Sequence, residues 1–375
     1  MTAHAGFVPP PYPYDRLGHL HELAARHEGG AVDCSVGTPC DPPPAAVLDA
    51  MATSGTERGY PLSAGSEAYR SAACAMLARR YKVEVAPTAL AACVGTKELV
   101  ASLASYLSLR DPSRDTVLYP AVAYPTYAVS AQLAGLRAVP VALDEGRLAL
   151  EGIDVATARR SLVLWTNSPS NPTGRLDDLG AAAAFGRRHG VVVCSDECYA
   201  DYTWAAPPTT VLAHGDDGVL AVHSLSKRSN LAGIRAGFYA GDPALVAYLQ
   251  LVRRHAGLIV AGPVQAAAAV AWADDDHVEA QRERYARRLA TVRDALLAAG
   301  CVLEEPEGSF YLWASRPGVE DGWALGAELA ERAGMVVSPG DLYGTASDAF
   351  VRVAMVQPDD RLALACDRLA ASSNA

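Results

Sequence analysis

The stretch Ser224-Leu225-Ser226-Lys227-Arg228-Ser229-Asn230-Leu231-Ala232-Gly233-Ile234-Arg235 follows the apolar run 219–222, and the rest of the chain is read outward from it. Two hydroxyls, Ser224 and Ser226, and the planar guanidinium fork of Arg235 flank one amine, that of Lys227, a donor set suited to a phosphate. Lysine is scarce here: of 32 basic residues only Lys82, Lys97 and Lys227 are lysines, so an amine needed for chemistry has few places to be. A free lysine amine is neutral in roughly one part in a few thousand near pH 7, so one used for covalent work must be perturbed or already condensed with a carbonyl. A lone Ser-x-x-Lys is usually a solvated loop. The phosphate-type neighbours favour the functional reading.

A chain of 375 residues can bury a large core and form two domains. Half of it is hydrophobic, a fifth is charged and the formal net charge is −10, which disfavours nucleic acid as a partner. The eight cysteines include no Cys-x-x-Cys pair, no metal site is expected, and Cys34, Cys74, Cys93, Cys194 and Cys301 lie in or beside apolar runs, as small buried thiols of a reducing cytoplasm do. The proline- and tyrosine-rich start, 1–15, has neither the basic end nor the apolar centre of a signal peptide. Residues 266–272 are too few to cross a bilayer and run into Asp274-Asp275-Asp276, so a membrane location is not expected.

From the N-terminus, an extended proline-rich arm (9–14) precedes a short helix at 19–27, and Val32 to Val36 leads into the turn Gly37-Thr38-Pro39. Gly59-Tyr60-Pro61 comes before a helical stretch at 66–81. Next, a strand at 89–94 breaks at Gly95-Thr96 before a helix at 97–109; glycine turn, free backbone amides and helix dipole together make an anion site at Gly95, Thr96 and Lys97. Strands at 116–119, 162–165 and 191–195 are followed by Tyr124-Pro125-Thr126-Tyr127, by Asn167-Ser168-Pro169-Ser170-Asn171-Pro172-Thr173-Gly174 and by Asp196-Glu197-Cys198-Tyr199. The β-branched run before Asp196 reads as a strand buried on both faces, where a carboxylate is costly unless it meets a cation. Alternating strands and helices with polar residues at strand C-termini imply a mostly parallel sheet covered on both sides. A strand at 235–240 and a helix at 243–255 should complete this large domain. A long helix at 277–299 then opens a smaller α+β domain, its sheet drawn from 302–304, 310–314, 335–337 and 350–353. The expected division is an arm at 1–30, a large domain at 31–254 and a small domain at 255–375.

These motifs, in this order from Ser35-Val36-Gly37-Thr38-Pro39 to Phe350-Val351-Arg352, resemble the class I and II aminotransferases, fold-type I enzymes that use pyridoxal phosphate. The resemblance implies that Lys227 holds the cofactor as a Schiff base, with Gly95, Thr96, Lys97, Ser224, Ser226 and Arg235 at its phosphate. It places Tyr124 on the pyridine face, Asn171 and Tyr199 at the 3-oxygen, and Asp196 opposite the ring nitrogen, which it keeps protonated so that the ring can take up electrons. It puts Gly37, Asn171 and Arg352 at the substrate, Arg352 gripping the α-carboxylate, and sends Tyr60 to the cofactor phosphate of a neighbouring subunit, making a homodimer part of the site. The closest likeness is to actinobacterial N-succinyldiaminopimelate aminotransferases, in segments such as 164–174, 195–199, 223–233, 281–287 and 338–344. The chain departs from that subgroup at 256–262, where glycine and methionine are usual, and at Ile234, where tyrosine is frequent.

The implied activity moves an amino group from glutamate to a keto acid, in the subgroup N-succinyl-2-amino-6-oxopimelate of lysine biosynthesis. Its remote carboxylates would need cations, for which Arg16, Arg58, Arg254 and His255 are available. The same cofactor residues would equally serve a secondary-metabolism enzyme doing β- or γ-replacement or carbon-carbon bond formation. A non-enzymatic regulator is disfavoured, because the cofactor domain begins by Val32 and the arm before it is neither basic nor suited to a helix-turn-helix.

Overall fold

The computed structural model describes residues 7–319 and 321–373, so the first six residues of the expected arm lie outside it. Three runs, Ser161–Asn167, Val192–Asp196 and Val219–Ser224, are buried almost throughout, which a sheet covered on both faces requires. They form the middle of a seven-stranded sheet in the spatial order Leu90–Cys93, Gly237–Gly241, Val219–Ser224, Val192–Asp196, Ser161–Asn167, Thr116–Pro120, Arg137–Val141. Every pairing is parallel except those of Gly237–Gly241, which runs antiparallel to both neighbours. Successive side chains alternate between the two faces: Val193 joins one apolar core and Cys194 the other, as do Ala221 and Leu220. Parallel strands point the same way, so the turns after Cys93, Asn167, Asp196 and Ser224 collect along one edge of the sheet.

The helices start where local chemistry dictates. Ser66 caps Glu67–Tyr81 by accepting from the Tyr69 N–H at 3.2 Å, and Asp178 caps Leu179–His189, which Gly190 ends at φ +64°. The strand expected from Arg235 begins two residues later, because Arg235 sits in the left-handed region at φ +58° and breaks the extended backbone.

A second sheet, antiparallel and four-stranded, has the order Val302–Leu303, Tyr311–Ser315, Val351–Ala354, Ser338–Pro339, and the helices Asp276–Ala298, Gly322–Ala333 and Asp359–Ser373 contribute to the same body. Met335–Val336, expected in this sheet, pairs instead in parallel with Val32–Asp33 from the other end of the chain, and Ser338–Pro339 takes the edge position. Packing also crosses the expected division at residue 254: the helix Gly262–Ala273 buries Ala267, Ala268, Ala271 and Trp272 in the large-sheet core, whereas Val32 and Cys34 lie in the core of the small one. Among the described residues no helix is long and apolar enough to cross a membrane.

Candidate active site

At the C-terminal edge of the large sheet, Gly37, Thr96, Lys97, Tyr124, Asn171, Asp196, Tyr199, Ser224, Ser226, Lys227, Arg235 and Arg352 surround one cavity of about 390 Å³. Residues far apart in sequence thus meet where the parallel strands end. Tyr60 does not join them; it is fully exposed on the segment before Glu67–Tyr81.

Lys227 rides on a single helical turn, Leu225–Arg228, capped by Ser224, whose Oγ accepts from the Ser226 N–H at 3.1 Å. Its Nζ donates to the carbonyl of Gly37. Burial pulls the amine down to about 8; Cys198 and Asp196 oppose this and the guanidinium groups of Arg352 and Arg235 add to it.

At one end of the cavity, Gly95 has φ +73° and leads into the helix Thr96–Arg110. A Cβ there would stand 2.2 Å from Nη2 of Arg235 and 2.6 Å from its Cζ, so the guanidinium lies directly on the glycine backbone at the helix N-terminus. That combination of free amides, helix dipole and a planar cation is an anion cradle. The Lys97 amine lies apart from it, 4.7 Å above the ring of Tyr12 in the arm.

In the middle, Asp196 is buried and accepts the Tyr127 phenol at 2.8 Å and the Cys198 N–H at 3.2 Å. Burial raises its carboxyl above the usual range, while the Cys198 and Tyr127 hydrogen bonds pull it back. Tyr127 is fully buried and stacked on Trp165 at 5.1 Å and 21°. Burial and the facing Asp196 push its phenol well above its ordinary value, which keeps it a donor. Sequence reasoning passed over Tyr127, although its place one helical turn after Tyr124 puts the two on the same side.

At the other end, Arg352 is buried, donating from Nη1 to Asn171 Oδ1 at 2.7 Å and from Nη2 to the Ser35 carbonyl. A guanidinium only donates, so Asn171 turns its oxygen to Arg352 and keeps its Nδ2 as a donor. Arg352 Cζ lies 4.2 Å from the ring centre of Tyr311 and 4.9 Å from that of Tyr343, and its Nε is buried with no hydrogen-bond partner among the described residues. Tyr311, also passed over, bonds the Tyr199 hydroxyl at 2.9 Å and occupies the place a side chain on Gly37 would need, its hydroxyl 2.0 Å from that Cβ.

The partners of Asp196, Lys227, Arg235 and Arg352 are neutral groups. Asp196 and Arg352 are buried, and burying a charge without an opposite one is expensive, so their missing countercharges describe the ligand; Lys227 is part-buried and Arg235 is exposed at the cavity's end. An anion is called for at Gly95 and Arg235, a cation beside Asp196, a carbonyl beside Lys227 and a carboxylate beside Arg352. Pyridoxal phosphate carrying an amino acid fits all of these.

The comparisons with known proteins agree. The family model for aminotransferase class I and II matches residues 31–369. The chain is 45% identical over 368 residues, 96% of itself and 99% of the relative, to the 4-dedimethylamino-4-oxo-anhydrotetracycline transaminase OxyQ of Streptomyces rimosus. It is 43% identical, over 96% of itself and 85% of the relative, to a protein of Mycobacterium tuberculosis described as a "probable aminotransferase". The N-succinyldiaminopimelate aminotransferase structure from Mycobacterium tuberculosis superposes with a TM-score of 0.83 at 26% identity, covering 95% of this chain and 97% of that one. The chain therefore belongs to the class I and II aminotransferase family and is a pyridoxal-phosphate-dependent aminotransferase.

Proposed function

We propose that this chain carries an amino group from glutamate to a ketone in two half-reactions, using Lys227, Asp196 and Arg352 as its principal groups. The observation that carries the reading is the set of charges in one cavity whose hydrogen-bond partners are all neutral. Arg235, Ser226 and the amides after Gly95 would hold the cofactor phosphate, Tyr124 the ring face, Asn171 Nδ2 and Tyr199 the 3-oxygen, and Lys227 the carbonyl carbon. Bound there, the cofactor supplies an electron sink for charge developing at the substrate Cα. Asp196, oriented by Tyr127 and the Cys198 amide, keeps a negative charge opposite the ring nitrogen. Arg352 takes the α-carboxylate and so fixes which face of Cα meets Lys227. Burial, which lowers the proton affinity of the Lys227 amine, favours the neutral form that can take the Cα proton and return it. Tyr60, fully exposed, is read as reaching the cavity of a second copy in a homodimer.

For the acceptor we favour a ketone on a fused-ring skeleton over N-succinyl-2-amino-6-oxopimelate. The relative at 45% identity is named for an oxo-anhydrotetracycline. The cations considered for remote carboxylates are also elsewhere. Arg16 pairs with Asp341 at 2.9 Å and lies over Trp323, Arg254 and His255 are exposed residues that do not line the cavity, and Arg58 is exposed on the same segment as Tyr60.

Glutamate alone should convert the bound cofactor to its pyridoxamine form with one 2-oxoglutarate released per site, followed by absorbance; borohydride reduction beforehand should leave a cofactor mass on Lys227. An unchanged spectrum with every amino donor tried would move the assignment to replacement or carbon-carbon chemistry. A label on Lys97 or Lys82 would refute Lys227. Separately, Arg352→Gln should raise the glutamate KM by roughly ten- to a hundredfold with a smaller change in kcat, since it removes charge-assisted hydrogen bonds made before the chemical step. A wild-type KM in that variant would take Arg352 out of substrate binding.

A further inference from the structure

A second cavity, of about 640 Å³, adjoins the first and shares four wall residues with it, Tyr12, Tyr14, Lys97 and Tyr124. It lies between the arm from Phe7 to Tyr14, the helices Thr96–Arg110 and Thr126–Leu133, and the turn from Leu342 to Ala346. Its wall is proline, alanine, tyrosine, valine and leucine with a few neutral polar groups, and among the described residues the one charged side chain on it is Lys97. That amine is already engaged, 4.7 Å over the ring of Tyr12. The cavity is larger than the one holding Lys227, and its size is that of a pocket for a drug-sized ligand.

Nothing in the amino-group transfer described above uses this space. It opens beside Tyr124 and Tyr14, one lining the face on which the cofactor ring would lie and the other 3.5 Å from Arg352. A substrate reacting at Lys227 and too large for the first cavity can extend past these two side chains. With Lys97 as the one described cation on these walls, a polyanionic tail would leave most of its carboxylates desolvated and unpaired, whereas flat apolar surface is covered well by tyrosine and proline.

We infer that this cavity is a binding subsite for the apolar ring system of the amino acceptor, with Tyr12, Tyr14 and Tyr124 forming the threshold between the reacting carbonyl and the rings. The inference rests on the aminotransferase reading and adds to it a place and a chemical class for the part of the substrate that does not react. Ala101 and Val129, on opposite helices, line only this second cavity. A bulky side chain at either one fills it without touching Lys227, Asp196 or Arg352.

The test uses the cofactor-loaded enzyme in its pyridoxamine form with two keto acids, pyruvate and 3-(2-naphthyl)pyruvate, and calorimetric binding of the unreactive 3-(2-naphthyl)propionate. Wild type should prefer the naphthyl acceptor in kcat/KM. Ala101→Phe and Val129→Trp should each cost roughly ten- to a hundredfold for the naphthyl acceptor and at least tenfold in naphthylpropionate affinity, with pyruvate turnover within about twofold of wild type. Two independent variants guard against one that fails to fold. Equal losses on both acceptors, or no loss on either, would overturn the subsite. So would a loss of self-association in the variants with acceptor preference unchanged, which would make the cavity the seat of a second copy. An enzyme that turns over neither acceptor after normal reaction with glutamate would refute the subsite, whereas one that does not react with glutamate at all would refute the aminotransferase reading beneath it.

Discussion

Lys227→Ala is expected to lose transaminase turnover by at least about ten-thousandfold, because in the function proposed above one amine would serve as both the covalent attachment and the proton carrier. The fold should survive. Among the described residues the Lys227 side chain makes a single hydrogen bond, to the Gly37 carbonyl, and the turn that carries it is capped by Ser224. The variant should still bind the cofactor through the cradle at Gly95 and Arg235, but reversibly, so that dialysis removes it; this is read by absorbance and by mass after borohydride. In wild type stripped of cofactor, the rate of recapture should rise with pH up to about 8 and level off above it, because the neutral amine is the nucleophile and burial has lowered its proton affinity to that point. A rate still climbing steeply at pH 9 would mean that the amine is not held in the buried position described here.

Asp196→Ala should reduce kcat by roughly a thousandfold or more while leaving the cofactor-free protein as stable as wild type, or more so. Both halves follow from one fact: among the described residues the buried carboxylate has only neutral hydrogen-bond donors and no ion-pair partner in contact, so it is costly until a positively charged ring nitrogen meets it. Its interaction matters most as negative charge develops at the substrate, hence the effect on kcat rather than KM. Tyr127→Phe isolates the orienting hydrogen bond. It should cost roughly ten- to a hundredfold in the glutamate half-reaction and lower the pH at which the cofactor ring nitrogen gives up its proton, visible in the spectrum. Half-reaction rates within twofold of wild type for Asp196→Ala would remove the carboxylate from the ring nitrogen.

Much of what lines the cavity was legible in the sequence because these residues sit at strand ends, and strand ends carry local marks: Gly95-Thr96, Asn171 between prolines, Asp196 after a β-branched run, Lys227 after an apolar one. Tyr127 and Tyr311 carry no such mark. A tyrosine inside a helix or strand reads as core, and both are in fact buried; only their hydroxyl partners, Asp196 and Tyr199, show what else they do. Nor did the sequence reveal that the Lys97 amine turns to Tyr12, because that depends on where the arm lies.

What the sequence determined by itself was the alternation of strands and helices, the caps that start the helices and the identity of the residues gathered at the strand ends. All of these follow from period, propensity and short-range hydrogen bonding. Only the tertiary structure decided which residues compensate one another across long separations. Met335–Val336 left its expected sheet for a parallel partner in the first tenth of the chain, and the helix Gly262–Ala273 packed its alanines into the large-sheet core. Arg352 found Asn171 and the Ser35 carbonyl but no anion. The physical reason is the same in each case. Backbone pairing and burial of small apolar faces impose almost no local pattern that names the partner, and the absence of a countercharge is a property of three-dimensional neighbours, which no stretch of sequence contains.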